Sequence, residues 1–206
     1  MTATAEFTDL PVIDTEARAS LFSEARTANS FSARPVSDEQ LLEAWNLAKW
    51  PPTAANTQPL RVQFVRTPEG KARLVPLMAE GNRAKTEAAP VTALLAADVD
   101  FHEFSPTTFP MRPEMKDNFE GMGAARREEL ARFNAALQAG YLILAVRSVG
   151  LAAGPMGGFD TEAASNEFFP DGRHRAFLAV NIGYPSENAW FPRLPRLEPS
   201  QVVSWS

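Results

Sequence analysis

Apolar positions recur with two periods along the chain, one helical and one alternating. Starting at Asp14, Ala17, Leu21 and Phe22 fall on one helical face, with Arg26 near the end of that helix. Ser37 followed by Gln40 is a capping-box pattern; it opens a helix through Leu41, Leu42, Trp45 and Ala48 that must stop near Pro51 and Pro52. Between Arg61 and Arg66 apolar and polar residues alternate, which predicts a strand with one buried face. A turn is expected at Pro68 to Gly70, followed by helical stretches to about Ala89. Val91 to Ala97 is apolar, short and bounded by Pro90 and Asp98, the pattern of a fully buried strand.

Beyond that strand the pattern loosens. Residues 99 to 123 mix aromatic residues, prolines and two glycines, and read as an irregular, lid-like excursion. From Ala124 to Val149 the spacing of Leu130, Phe133, Leu137, Tyr141, Leu144 and Ser148 follows a helical stripe and predicts a long helix at the centre of the structure. Gly150 to Phe159 reads as a glycine-rich connection, Asp160 as the cap of a short helix, and Phe177 to Ile182 as a strand. The tail from Pro185 contains four prolines, Trp190, Trp205, Arg193 and Arg196, with little periodicity. Strands and helices mixed without a steady βαβ rhythm favour an α+β fold. Residues 1–13 form a loose lead-in to one domain spanning 14–206.

Composition narrows the chemistry. With 206 residues, 45% hydrophobic and 22% charged, the chain reads as one folded unit. Its formal net charge of −5 argues against nucleic acid or anionic membrane as partner. There is no cysteine and only two histidines, which removes thiolate chemistry and makes a histidine-rich zinc site improbable. The N-terminal stretch carries acidic residues and no long apolar core, so it reads neither as a signal peptide nor as an anchor. The longest apolar run, Tyr141 to Val146, falls far short of the ~20 residues of a spanning helix, and a cytoplasmic location is the default expectation.

Familiar motifs are weak. Gly121-Met-Gly123-Ala-Ala-Arg126 begins like a dinucleotide fingerprint but ends on arginine and follows no buried strand. Glu128 and Glu129 are adjacent, ~100° apart on a helix, and read as a solvated face. Neither His102 nor His174 has a partner pattern for a nucleophilic triad.

Five separated segments point further. Arg26-Thr27-Ala28-Asn29-Ser30 offers a guanidinium fork and hydroxyls to a phosphate. Thr53-Ala54-Ala55-Asn56-Thr57-Gln58, between prolines, offers side-chain amides that donate and accept at once. Asn82 and Lys85 stand i and i+3 on one helical face. Pro155-Met156-Gly157-Gly158 is a turn with two adjacent glycines, whose lack of side chains leaves the backbone approachable. Arg193 and Arg196 add two cations near the C-terminus.

In order and spacing these segments resemble the FMN-dependent nitroreductase family, from about Leu21 to Pro195, and within it the malonic semialdehyde reductase (RutE/HadB-type) branch associated with pyrimidine breakdown. The resemblance implies a central, mainly antiparallel sheet flanked by helices, in an intertwined homodimer with FMN at the interface. Residues 185–206 would be a C-terminal extension wrapping the partner. It implies that Arg26, Thr27 and Asn29, with Arg193 or Arg196, hold the flavin phosphate and ribityl chain. Thr53, Ala54, Asn56 and Gln58 would reach the flavin bound mainly by the other subunit. Asn82 and Lys85 would meet the pyrimidine edge, Lys85 countering the charge of the reduced ring. Pro155, Met156, Gly157 and Gly158 would line the edge at N5 and O4, with glycine at 157 where relatives often carry glutamate.

The activity implied is ping-pong hydride transfer from NAD(P)H through flavin N5 to a small oxidised substrate such as malonic semialdehyde, giving 3-hydroxypropionate. Arg112 or Arg83 would meet the substrate carboxylate. A broad nitroaromatic or quinone reductase and a flavin-binding protein without turnover are the alternatives.

Overall fold

In the computed structural model, which describes residues 10–206, local signals set most of the helix boundaries. Asp14 caps α1 (Thr15–Arg18), which continues as a π turn to Ser23 rather than reaching Arg26. Ser37 and Gln40 close both halves of the capping box on α2 (Asp38–Ala48). After β1 (Leu60–Val65), Thr67 caps α3 (Pro68–Leu74), so the expected turn at Pro68 to Gly70 is the first turn of a helix. Proline suits that position because its missing N–H would be unpaired there anyway. Then follow α4 (Glu80–Ala88) and β2 (Val91–Asp98).

Segment 99–123 is helical rather than irregular. A 3₁₀ turn at Phe101–Phe104 leads into α5 (Ser105–Thr108) and α6 (Met115–Gly121). Phe101 and Phe119, both buried, meet edge to face at 5.2 Å and pin the segment to the core. The chain continues through α7 (Ala124–Ser148), β3 (Ala152–Met156), α8 (Thr161–Phe168) capped by Asp160, β4 (His174–Gly183) and a short α9 (Pro199–Val202). The tail is therefore not wholly without regular structure. Most of the expected lead-in, residues 1–9 of 1–13, lies outside the described residues, and residues 10–13 are exposed.

The four strands form one antiparallel sheet in the order β1-β2-β4-β3. The predicted strand Val91–Ala97 is buried throughout, and Asp98, expected to bound it, is the last residue of β2 and is buried as well. Val65, Ile182 and Ala153 line up with its Val91 end, and Leu60 and His174 with its Asp98 end. At about 3.3 Å per residue the two ends stand some 25 Å apart.

β3 occupies what was expected to be a glycine-rich connection. Gly154 and Pro155 are poor strand formers, yet both fit here. The Ala28 amide donates to the Ala153 carbonyl at 3.1 Å, so residues 153 and 155 turn their backbone groups away from β4. The missing N–H of Pro155 thus falls on the open edge and costs no ladder bond. A Cβ at Gly154 would lie 2.6 Å from the Ala28 carbonyl oxygen, which only glycine avoids.

α7 packs on α2 and the sheet, but largely with a different face from the stripe that its spacing marks out. Ala131, Asn134, Ala135, Gln138, Ala139, Leu142 and Ala145 are buried, whereas Phe133, Leu137 and Tyr141 of the predicted stripe are 65%, 42% and 45% exposed. Small residues predominate on the packed face, which Leu142 and Val146 share, and Phe133, Leu137 and Tyr141 lie on the outward one. Leu42 on α2 is exposed as well.

Candidate functional site

Four of the five segments gather between the Val91 end of the sheet and its middle, where Met156 stands level with Leu94. The turn after α1 runs beside β3, with the Asn29 amide donating to the Ala189 carbonyl at 2.9 Å. Arg26 donates from Nη1 to the Phe191 carbonyl at 3.4 Å. Together these contacts open a cleft of about 460 Å³ lined by Arg26, Thr27, Asn29, Arg193 and Arg196. A second opening of about 400 Å³, lined by Asn29, Gly81, Ala84, Lys85 and Phe191, shares Asn29 and Phe191 with it. Among the described residues no carboxylate pairs with Arg26, Lys85, Arg193 or Arg196. Four cations without counter-ions line adjoining openings, an arrangement suited to a phosphorylated anion.

α4 reaches the glycine turn through its first residues. Asn82 Nδ2 donates to the Gly158 carbonyl at 2.9 Å, and the Ala79 amide donates to the same oxygen at 3.0 Å. A Cβ at Gly158 would come within 2.8 Å of Asn82 Nδ2, so a side chain there would displace the Asn82 amide. A Cβ at Gly157 would meet no atom within 4 Å, so the space on that side is open, while the Gly157 carbonyl accepts from the Phe159 amide at 3.2 Å.

The last turn of α4 is held from beneath. The i+4 partner of the Thr86 carbonyl would be Pro90, which has no N–H, and Lys71 Nζ takes that place at 2.7 Å. Lys71 also donates to Thr92 Oγ1, whose hydroxyl donates to Asn181 Oδ1, and Asn181 Nδ2 donates to the Lys85 carbonyl at 3.1 Å. Burial pushes the Lys71 ammonium down to about 8.

The remaining segment, Thr53 to Gln58, lies at the other end of the sheet, before β1. It is strained: Ala55, Asn56 and Gln58 have φ of 47°, 51° and 45°. Left-handed backbone at a non-glycine residue costs on the order of 1–3 kcal/mol and persists only where its surroundings over-determine it. Two buried amides of α7 help to hold it, Asn134 Oδ1 accepting from the Ala54 amide at 2.7 Å and Gln138 Oε1 from the Leu60 amide at 2.9 Å. Thr53 Oγ1 accepts from the Gln58 amide, Asn56 Nδ2 donates to the Thr108 carbonyl, and Gln58 Nε2 donates to Asn56 Oδ1. Sequence reasoning missed Asn134 and Gln138, although two amides at i and i+4 among alanines are a visible signal. It also missed Asn181 and Lys71, for which the sequence carries no cue.

Other candidates are engaged elsewhere. Arg83 donates to the carbonyls of Met78 and Pro76, and Arg112 pairs with Glu114. His102 is buried against Glu120 at 2.5 Å, and that contact holds the Glu120 carboxyl below its usual range. His174 meets Asp171 at 2.7 Å, and Glu129 meets Arg126 on an exposed face. Gly121 ends α6 and Gly123 precedes α7, with no strand before them.

Comparison with known proteins gives a consistent picture. The sequence profile of the nitroreductase family matches residues 7–184. A Streptomyces coelicolor protein, provisionally named NADH dehydrogenase/NAD(P)H nitroreductase, is 54% identical over 96% of this chain and 97% of its own length. A nitroreductase family protein from Streptococcus pneumoniae superposes with a TM-score of 0.80 at 22% identity, covering 90% of this chain and 98% of that one. A provisionally assigned nitroreductase from Exiguobacterium sibiricum, solved in complex with FMN, gives 0.81 at 19% identity, covering 97% and 100%.

Proposed function

The chain belongs to the nitroreductase family, and from that premise we propose that it is an FMN-dependent NAD(P)H oxidoreductase whose site is completed by a second copy of itself. The observation that carries this reading is the cluster of Arg26, Lys85, Arg193 and Arg196, which pair with no carboxylate among the described residues, beside the glycine turn. The donor set fits FMN: guanidinium groups for the phosphate, Thr27 and Asn29 for the ribityl hydroxyls, and Asn82 and Lys85 for the pyrimidine edge. The FMN-bound structural relative and the nitroreductase name of the 54% identical one support it.

When bound, FMN supplies the hydride-accepting and hydride-donating centre. The protein's part is placement and charge. Lys85 puts a positive group where negative charge builds up on reduction, and the fixed last turn of α4 keeps it there. The backbone of Pro155 to Gly158 forms the wall beside the reacting edge, and open space at Gly157 leaves room for the nicotinamide and then the acceptor. Thr53, Ala54, Asn56 and Gln58 precede β1 at the Asp98 end of the sheet, away from Arg26 and Lys85, and serve the cofactor of the partner copy. The outward face of α7, with Phe133, Leu137 and Tyr141, is the contact that brings the copies together.

A nitroaromatic or quinone is the acceptor class we favour. The narrower reading, malonic semialdehyde reduction, needs a cation for the substrate carboxylate, and Arg83 and Arg112 are both committed to other partners. Purified protein should show flavin bands near ~375 and ~450 nm that bleach on anaerobic addition of NADPH. Steady-state rates with a nitroaromatic should exceed those with the semialdehyde. Bleaching without turnover of any acceptor would leave a flavin-binding protein, and a protein that takes up no FMN would overturn the reading.

A further inference from the structure

The strained loop before β1 is gripped from outside by a cluster of charge at the Asp98 end of the sheet. Asp98 closes β2 and is fully buried. Its Oδ2 accepts from Arg61 Nη2 at 2.5 Å and from Arg173 Nη2 at 2.9 Å, and its Oδ1 accepts from Arg173 Nε at 2.6 Å and the Asp100 amide at 3.0 Å. Arg173 also meets Glu103, and the ring of Phe104 lies 5.1 Å from the Arg61 guanidinium and 5.3 Å from that of Arg173. Every acceptor position of the carboxylate is used, so Arg61 has a single place to stand.

The other nitrogen of that fork leads back to the loop. Arg61 Nη1 donates to the carbonyls of Gln58 at 2.9 Å and Leu60 at 3.0 Å. The sheet does not need this contact, because Leu60 to Val65 already pair with Thr92 to Ala97. The Asp98 amide adds a bond to the Pro59 carbonyl at 2.9 Å. A planar guanidinium fixed on a buried carboxylate carries that fixed geometry to the next acceptor, here the residue with φ of 45°.

We propose that Arg61, Asp98 and Arg173 form a positioning device that sets the Gln58 amide for the flavin of the partner copy, Asp98 fixing Arg61 and Arg61 fixing Gln58. This rests on the reading above, in which Gln58 meets FMN. Arg61 and Asp98 are positioning residues and need not touch the cofactor. Arg61→Lys keeps the charge opposite Asp98 but cannot reach the carboxylate and the Gln58 carbonyl together.

The test is a double-mutant cycle of Arg61→Lys and Gln58→Ala, read as the FMN dissociation constant of FMN-stripped protein and as the thermal midpoint of the same samples. Each single change should weaken FMN binding about tenfold, and the double variant no further than the weaker-binding single one. The midpoint should stay within a few degrees. Losses that multiply to about a hundredfold, or an Arg61→Lys protein that binds FMN normally, would overturn the proposal. Failure of the unaltered protein to take up FMN would sink the underlying reading as well, and so is distinguishable. If Arg61→Lys does not fold, Arg173→Lys, which loosens Asp98 from the other side, replaces it in the same cycle with the same expected result.

Discussion

Two clusters of positive charge, one toward each end of the sheet, are treated in opposite ways. At the Val91 end Arg26, Lys85, Arg193 and Arg196 face adjoining clefts with no carboxylate among the described residues paired to them. At the Asp98 end Arg61, Arg127 and Arg173 are all paired with Asp98, Asp100 or Glu103. Unpaired cations keep their charge available to a ligand, whereas paired ones turn it into rigid shape. The first end is built to receive, the second to hold still.

The largest effect should come from separating the two ends. If a second copy brings its Asp98 end to the Val91 end of the first, Leu137→Glu places a charge in the contact and both ends lose their complement. Sedimentation velocity should show a monomer, with FMN affinity down by at least about a hundredfold; a monomer that binds FMN normally would break the comparison. Arg26→Ala should act on the receiving end alone. One charge-assisted contact to phosphate is worth about 1.5–3 kcal/mol, a loss of roughly ten- to a hundredfold in FMN affinity by fluorescence titration. The thermal midpoint of the FMN-free protein should not move.

Gln138→Leu should do the reverse. It leaves the Leu60 amide without its buried acceptor, at a cost of about 1–3 kcal/mol, which lowers the midpoint by several degrees before FMN is added. An unchanged midpoint would show that the strained loop needs no brace.

The last effect is a pH dependence beneath α4. The Lys71 ammonium titrates near about 8 in the fold and near 10.5 when free, so the unfolded chain binds more protons between these values. Lys71 therefore penalises the fold below about pH 8, and the penalty is relieved as pH rises toward 10.5. Denaturant titrations at pH 7.5 and 10 should show the wild type gaining stability relative to Lys71→Met, and parallel curves would remove Lys71 from the account.

Much of this layout was legible in the residues. Ser37 with Gln40, Asp160 before α8 and the bounded apolar run of β2 act through local chemistry, and each appears where the pattern places it. The cationic segments at 26–29 and 193–196 do share a cleft. What stayed hidden depends on contacts between distant segments. β3 was obscured because Gly154 and Pro155 oppose strand formation, and only the approach of Ala28 explains them. The helical stripe of α7 is legible from its spacing, but which face packs is not: alanines, two amides, Leu142 and Val146 are buried, while Phe133, Leu137 and Tyr141 are exposed. Left-handed backbone at Ala55, Asn56 and Gln58 has no sequence mark, since none is glycine.

Pro155 also bears on how the molecule keeps its sheet from growing. An open edge strand is a template on which another chain can lay its own strand and begin a filament. On β3 the outward carbonyl of Ala153 is already taken by Ala28, and Pro155 has no hydrogen to offer a newcomer. A single imino acid two residues from the glycine turn thus denies stray strands a foothold beside the binding clefts, and replacing it with alanine would restore the donor that fibril growth requires.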